Sequence, residues 1–111
     1  MTLDIKPELV NEYIAKHATP RQNVVDALRS VGLRNLSLWV SRERLFYYAE
    51  FAPIGRESFD EAMVRYAAMP GVKEWEEEMH QYQAKIPGTD VENGASKDVW
   101  WQVCAPVYYQ A

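Results

Sequence analysis

His17 and Tyr13 stand four residues apart, a spacing that puts an imidazole and a phenol on one face of a helix. Imidazole exchanges protons near neutrality, because its ordinary pKa is about 6.5. The pair therefore suits general acid–base work on a small polar ligand held against that face; the plain alternative is that both rings pack in the core. Trp75 and Glu76 form a second candidate pair. The indole suits the apolar wall of a pocket, or equally a core position on a helix stripe. The Glu76 carboxylate suits accepting a proton or holding a hydroxyl. Among Glu74, Glu77 and Glu78 it also reads as part of a solvated face, paired with His80 four residues on. Those two side chains fall short of the ligand set a zinc site needs, so no metal is expected. Trp39 and Glu50 are weaker pocket candidates, and Cys104, far from any basic residue, reads as a small buried hydrophobe.

The elements that must position these residues follow from hydrophobic period and punctuation. The segment Thr2–Ile5 is a short strand candidate, and Pro7 suits the first turn of a helix. Val10, Tyr13, Ile14 and His17 then share a helical face. Pro20 interrupts that helix, and a second one follows, with Val24, Val25, Leu28 and Val31 on one side and Gly32 as its stop. Over residues 35–40 the period changes to two: Leu36, Leu38 and Val40 oppose Asn35, Ser37 and Trp39. Ser41, Arg42 and Glu43 serve as a hairpin connection to a partner strand over Arg44–Phe51, ended by Pro53 and Gly55.

Ser58 and Glu61 have the spacing of a capping box; the helix behind it turns Phe59, Ala62, Met63, Tyr66 and Ala67 inward. Past Pro70 and Gly71, a further helix aligns Val72, Trp75, Met79 and Tyr82. Residues 87–98 read as a polar loop and residues 99–109 as a last strand, confined by Pro106 to an edge or a bulge. Trp100 and Trp101 would split between its two faces. The order β-α-β-β-α-β is that of a ferredoxin-like α+β domain, one unit over residues 1–111, with a four-stranded antiparallel sheet and helices on one face. The middle hairpin is apolar on both faces, so the uncovered face predicts a second copy, a twofold homodimer.

Composition narrows the function. A net charge of −4 with scattered Lys and Arg argues against nucleic acid as a partner. A lone cysteine rules out a disulfide within the chain. No apolar run approaches the roughly 20 residues of a membrane span, and no leader pattern opens the sequence, so a reducing cytoplasm is the expected compartment.

The run Glu12-Tyr13-Ile14-Ala15-Lys16-His17 begins a resemblance to the L-rhamnose mutarotase family, whose members carry a similar E-Y-x-x-x-H. Leu45-Phe46 with Glu50 looks like the family's LF…E strand. Val72-Lys73-Glu74-Trp75-Glu76-Glu77-Glu78-Met79, then Tyr82-Gln83 and Ile86-Pro87-Gly88, is similar to a run found in members associated with L-fucose. Val107-Tyr108-Tyr109 sits where the family has V/I-F-x-L. The resemblance spans nearly the whole chain. It implies a dimeric α+β barrel that interconverts the α and β anomers of a 6-deoxy-L-hexose, L-fucose or L-rhamnose, without a cofactor. It also implies His17 as proton donor, with Tyr13 and Trp75 against the sugar; Glu76 and Trp39 join them as substrate-contact candidates from residue type and placement alone.

The chain departs from the family pattern at several places. Glu76 stands where rhamnose-type members have a second tryptophan, Leu36 replaces a tyrosine, and Arg21-Gln22-Asn23 replace W-P-E. These departures keep open the alternative of a sugar-binding or structural module without catalysis. Architecture alone also raises a cofactor-free oxygenase, by fold analogy.

Overall fold

A computed structural model describes residues 1–89 and 99–111. Strand β1 (Thr2–Ile5) buries Leu3 and Ile5 completely. One 3-10 turn with Pro7 at its start leads into α1 (Val10–Ala18), where the missing proline N–H leaves no partner unsatisfied. The chain breaks at Pro20 and resumes as α2 (Gln22–Ser30). Gly32 then turns the backbone into β2 (Leu33–Ser41) at a φ of +95°, and a Cβ there would lie 2.2 Å from the Ala52 carbonyl oxygen. Only glycine tolerates both conditions.

Strand β2 pairs antiparallel with β3 (Arg44–Phe51) through a turn at Arg42 and Glu43. The ladder shifts register between Arg34 and Ser37, where Asn35 takes a φ of +49°. This irregularity sits beside Leu36 and re-aims the strand there. Helix α3 (Phe59–Ala67) starts from a complete capping box. Ser58 Oγ accepts from the Glu61 N–H at 3.2 Å, and the Glu61 carboxylate accepts from the Ser58 N–H at 2.8 Å. Helix α4 (Val72–His80) follows Gly71, and the two-residue β4 (Gln83–Ala84) closes the sheet in the order β2-β3-β1-β4, antiparallel throughout. The architecture is ferredoxin-like α+β, each crossover carrying two helices.

Side-chain alternation gives the sheet two unlike faces. Leu3, Ile5 and Leu45 face the helices, while Trp39, Phe46 and Tyr48 lie exposed on the other side. Under the helices the core closes as two clusters. One is built on Leu3, Ile5, Tyr13, Leu45 and Met79, the other on Val31, Leu33 and Ala62.

Three expectations from sequence need correction. The fourth strand is Gln83–Ala84, whereas the segment over residues 99–109 makes, among the described residues, a single bridge, Gln102 to Thr2. Beyond it Val103, Val107, Tyr108 and Tyr109 are exposed, because the β1 edge is already shared by β4 and this bridge. Cys104 is accordingly exposed rather than buried. Trp100 and Trp101 do not alternate across a sheet; Trp101 packs on Tyr47 at 5.3 Å between ring centroids, and Trp100 stacks on His80. The expected polar loop over residues 87–98 lies mostly outside the described residues. Among the described residues no helix is long and apolar enough to cross a membrane.

Candidate active site

Side chains from both core clusters line a cavity of about 460 Å³, within the size range of small-ligand sites. Tyr13 and Met79 come from the first cluster; Leu28, Met63 and Tyr66 come from residues packed on the second. The hollow exists because the helices seal the sheet at two places instead of one.

Helix α1 presents Tyr13 and His17 to this cavity together. The His17 Nδ1 lies 2.9 Å from the carbonyl oxygen of Tyr13. A carbonyl only accepts, so Nδ1 carries the hydrogen in this contact and Nε2 is left as the acceptor nitrogen. The imidazole is held between two aromatic rings, 4.4 Å from Tyr13 and 5.4 Å from Trp75 by centroid. Tyr13 is itself buried, which pushes its phenol up from the ordinary value. Gln83 Nε2 donates to that phenol at 3.4 Å, while Gln83 Oε1 is buried with no partner among the described residues.

Helix α4 supplies the opposing wall through Trp75 and Glu76. Trp75 carries the Arg21 guanidinium over its ring at 5.5 Å, a cation–π contact. Arg21 is also paired with Glu78, which takes Lys16 at 3.0 Å as well. Glu76 is largely withdrawn from water, and burial raises its carboxyl above the usual range against the opposing pull of a hydrogen bond from Tyr66 at 3.4 Å. Burial and the neighbouring carboxylate in turn push the Tyr47 phenol up to about 12 and raise that of Tyr66. Both phenols therefore remain hydrogen-bond donors across neutral pH. Among the described residues no group of three His, Cys, Asp or Glu converges as a metal ligand set.

The sequence profile of L-rhamnose mutarotase matches residues 1–110. The chain belongs to the L-rhamnose mutarotase family. It is also 29% identical, over 104 residues, to a UPF0734 protein of Dictyostelium discoideum, covering 91% of this chain and 78% of that one.

Four of the six pocket candidates read from sequence, His17, Tyr13, Trp75 and Glu76, meet in this mutarotase-family cavity. Trp39 does not. It borders a second hollow of about 380 Å³ that shares Tyr13 and His17, and its indole N–H donates to Ser37 Oγ at 2.9 Å on the outer sheet face. Glu50 lines neither hollow and accepts from Asn35 and Tyr48. The expected surface pairing of Glu76 with His80 is replaced by two separate contacts. Glu76 meets Tyr66, and the His80 ring stacks on Trp100 at 3.9 Å and 7°.

Sequence reasoning missed Tyr47, Tyr66, Gln83 and Arg21 as lining residues. Tyr47 and Tyr66 carried only an inward periodicity, which does not separate a cavity wall from a packed core. Arg21 sits in the segment that replaces W-P-E, and Leu36, which replaces a tyrosine, also lines the cavity. Both departures fall on the wall of the site rather than on the residues that flank His17.

Proposed function

We propose that this chain is a mutarotase acting on a 6-deoxy-L-hexose, L-fucose or L-rhamnose, with His17 as a proton carrier. One observation carries the reading: the His17 imidazole is held by its Nδ1 against the Tyr13 carbonyl, between two aromatic rings, at the edge of a sugar-sized cavity. Family membership supports it. Mutarotation opens the cyclic hemiacetal, turns the aldehyde and recloses the ring. The steps are proton transfers, which an imidazole of fixed tautomer can relay. Trp75 offers a flat apolar wall to the C–H face of the sugar. Leu36, Leu38 and Met63 line the same cavity, and such a surface suits a methyl group in place of a hydroxymethyl.

The test is anomer-resolved NMR exchange on L-fucose and L-rhamnose. Exchange faster with protein than without, and lost in His17→Gln, is the expected result. Tryptophan quenching by sugar without faster exchange would point instead to a binding module. No acceleration for any 6-deoxy-L-hexose would overturn the enzymatic reading.

The protein further reads as one domain over residues 1–111 that pairs with a second copy through its outer sheet face. Trp39, Phe46 and Tyr48 there are 63%, 44% and 55% exposed, an apolar patch of the kind that marks protein contacts. A monomeric mass in light scattering at micromolar concentration would refute the pairing. The exposed lone thiol of Cys104 suits a reducing cytoplasm.

A further inference from the structure

Opening a cyclic hemiacetal moves two protons. One leaves the anomeric hydroxyl and one reaches the ring oxygen, and a single imidazole cannot be at both oxygens at once. The geometry points to Glu76 as the second proton carrier of the cavity, with Tyr66 as the residue that positions it. This inference rests on the mutarotase reading above.

Glu76 is the carboxylate among the described lining residues. Consecutive positions on an α-helix are turned by about 100° around its axis. Trp75 therefore lies against the His17 ring while Glu76 reaches Tyr66 on α3. The Tyr66 hydroxyl engages Oε1 at 3.4 Å, which leaves Oε2 for a ligand. Apo contacts of this length commonly tighten when substrate fills the site.

The groups that face this carboxyl come from every element packed around it. Tyr66 of α3, Tyr47 of β3 and Tyr13 of α1 are phenols, all raised by burial, and they keep their protons near neutrality. The Arg21 cation on the cavity wall is neutralised by Glu78, and His80, one turn along α4, is stacked on Trp100. Glu76 itself is raised by burial, which favours its protonated form and suits it to donating a proton.

The step balances as follows. His17 Nε2 takes the proton of the anomeric hydroxyl, and that O–H electron pair becomes the π bond of the new carbonyl. The bond from the anomeric carbon to the ring oxygen breaks with its pair on oxygen, and that oxygen takes the proton of Glu76. The products are the open aldehyde, an imidazolium and a carboxylate. Rotation about the adjacent carbon–carbon bond presents the other carbonyl face. Closure runs the same transfers backwards and restores both groups. The active form thus carries one proton shared between His17 and Glu76, which makes kcat/KM bell-shaped in pH.

Glu76→Gln keeps the shape and the acceptor for Tyr66. It is expected to lower kcat by about 10²-fold or more, to leave sugar affinity within about threefold, and to erase the alkaline limb of the bell, which is where loss of the Glu76 proton would stop the reaction. Tyr66→Phe is expected to keep that limb but move it to higher pH, because the lost hydrogen bond favoured the charged carboxylate. Glu76→Asp, which retains a titrating carboxyl, should restore the limb and part of the rate. An alkaline limb missing from Glu76→Asp as well, or a Glu76→Gln enzyme with wild-type rate and profile, overturns the inference. In the second case a dead His17→Gln would leave the mutarotase reading standing. A wild-type protein that accelerates no 6-deoxy-L-hexose overturns that reading instead.

Discussion

The Nδ1 nitrogen of His17 faces the carbonyl oxygen of Tyr13, one turn back along α1, at 2.9 Å. The backbone of the helix thereby selects the tautomer, and the same residue that supplies the carbonyl also supplies the adjoining phenol. His17→Asn leaves a side chain able to donate to that carbonyl but unable to carry a proton. Its anomer exchange should fall by about 10²–10⁴-fold while its far-UV circular dichroism stays that of the parent. A variant within a few-fold of wild type would remove His17 from the chemistry.

Stability should report the Glu76 carboxyl without any substrate. Burial raises that carboxyl in the folded protein, so the folded state holds the proton more tightly than the unfolded chain. The favourable contribution is complete below the unfolded value of about 4.3 and is lost as pH rises through the folded value. Glu76→Gln removes the linkage. Its Tm relative to wild type should climb as pH is raised from 4 to 8, measured by scanning calorimetry. A difference that stays flat would mean the carboxyl is solvated.

Ser58 and Glu61 satisfy each other's backbone N–H groups at the start of α3, the helix that carries Tyr66. Ser58→Ala breaks one half of the box and should cost about 1 kcal/mol. For a domain of this size that is a fall in Tm of about 4 °C. Urea denaturation would show the loss as a lower midpoint at unchanged slope. No change would place the helix start under tertiary control alone.

Gln83 is 3% exposed and its Oε1 has no partner among the described residues. An unpaired buried acceptor costs about 1–3 kcal/mol. Gln83→Met keeps the volume and removes the orphan, so unfolding free energy should hold steady or rise. The same change frees the Tyr13 phenol from its only side-chain donor among the described residues, and exchange activity should drop. A destabilisation beyond about 2 kcal/mol would show that the amide holds β4 in place.

Much of this fold is legible in the sequence because local signals and global packing agree. The alternation in Arg44–Phe51 and the spacing of Ser58 and Glu61 each name an element that the structure contains. The fourth strand was not legible. Gln83–Ala84 is too short to show a period, whereas residues 99–109 read as a strand yet make one bridge among the described residues. The site was legible where a residue type announces chemistry, as with His17 and Tyr13. It was obscure where chemistry depends on packing: Glu76 looks like its neighbours Glu74, Glu77 and Glu78 until α3 is set against α4. The hollow that Trp39 borders was not legible, since an indole on an edge strand can face either way.

The cavity takes its walls from α1, β3, α3 and α4, so no half of the chain owns it. A sugar seated there acts as mortar between the two clusters, and its binding adds to the free energy of unfolding. At a free sugar concentration of 100 Kd the gain is about 2.7 kcal/mol, large enough to see in a melting curve. Heat resistance can therefore rank candidate sugars before any turnover is detected.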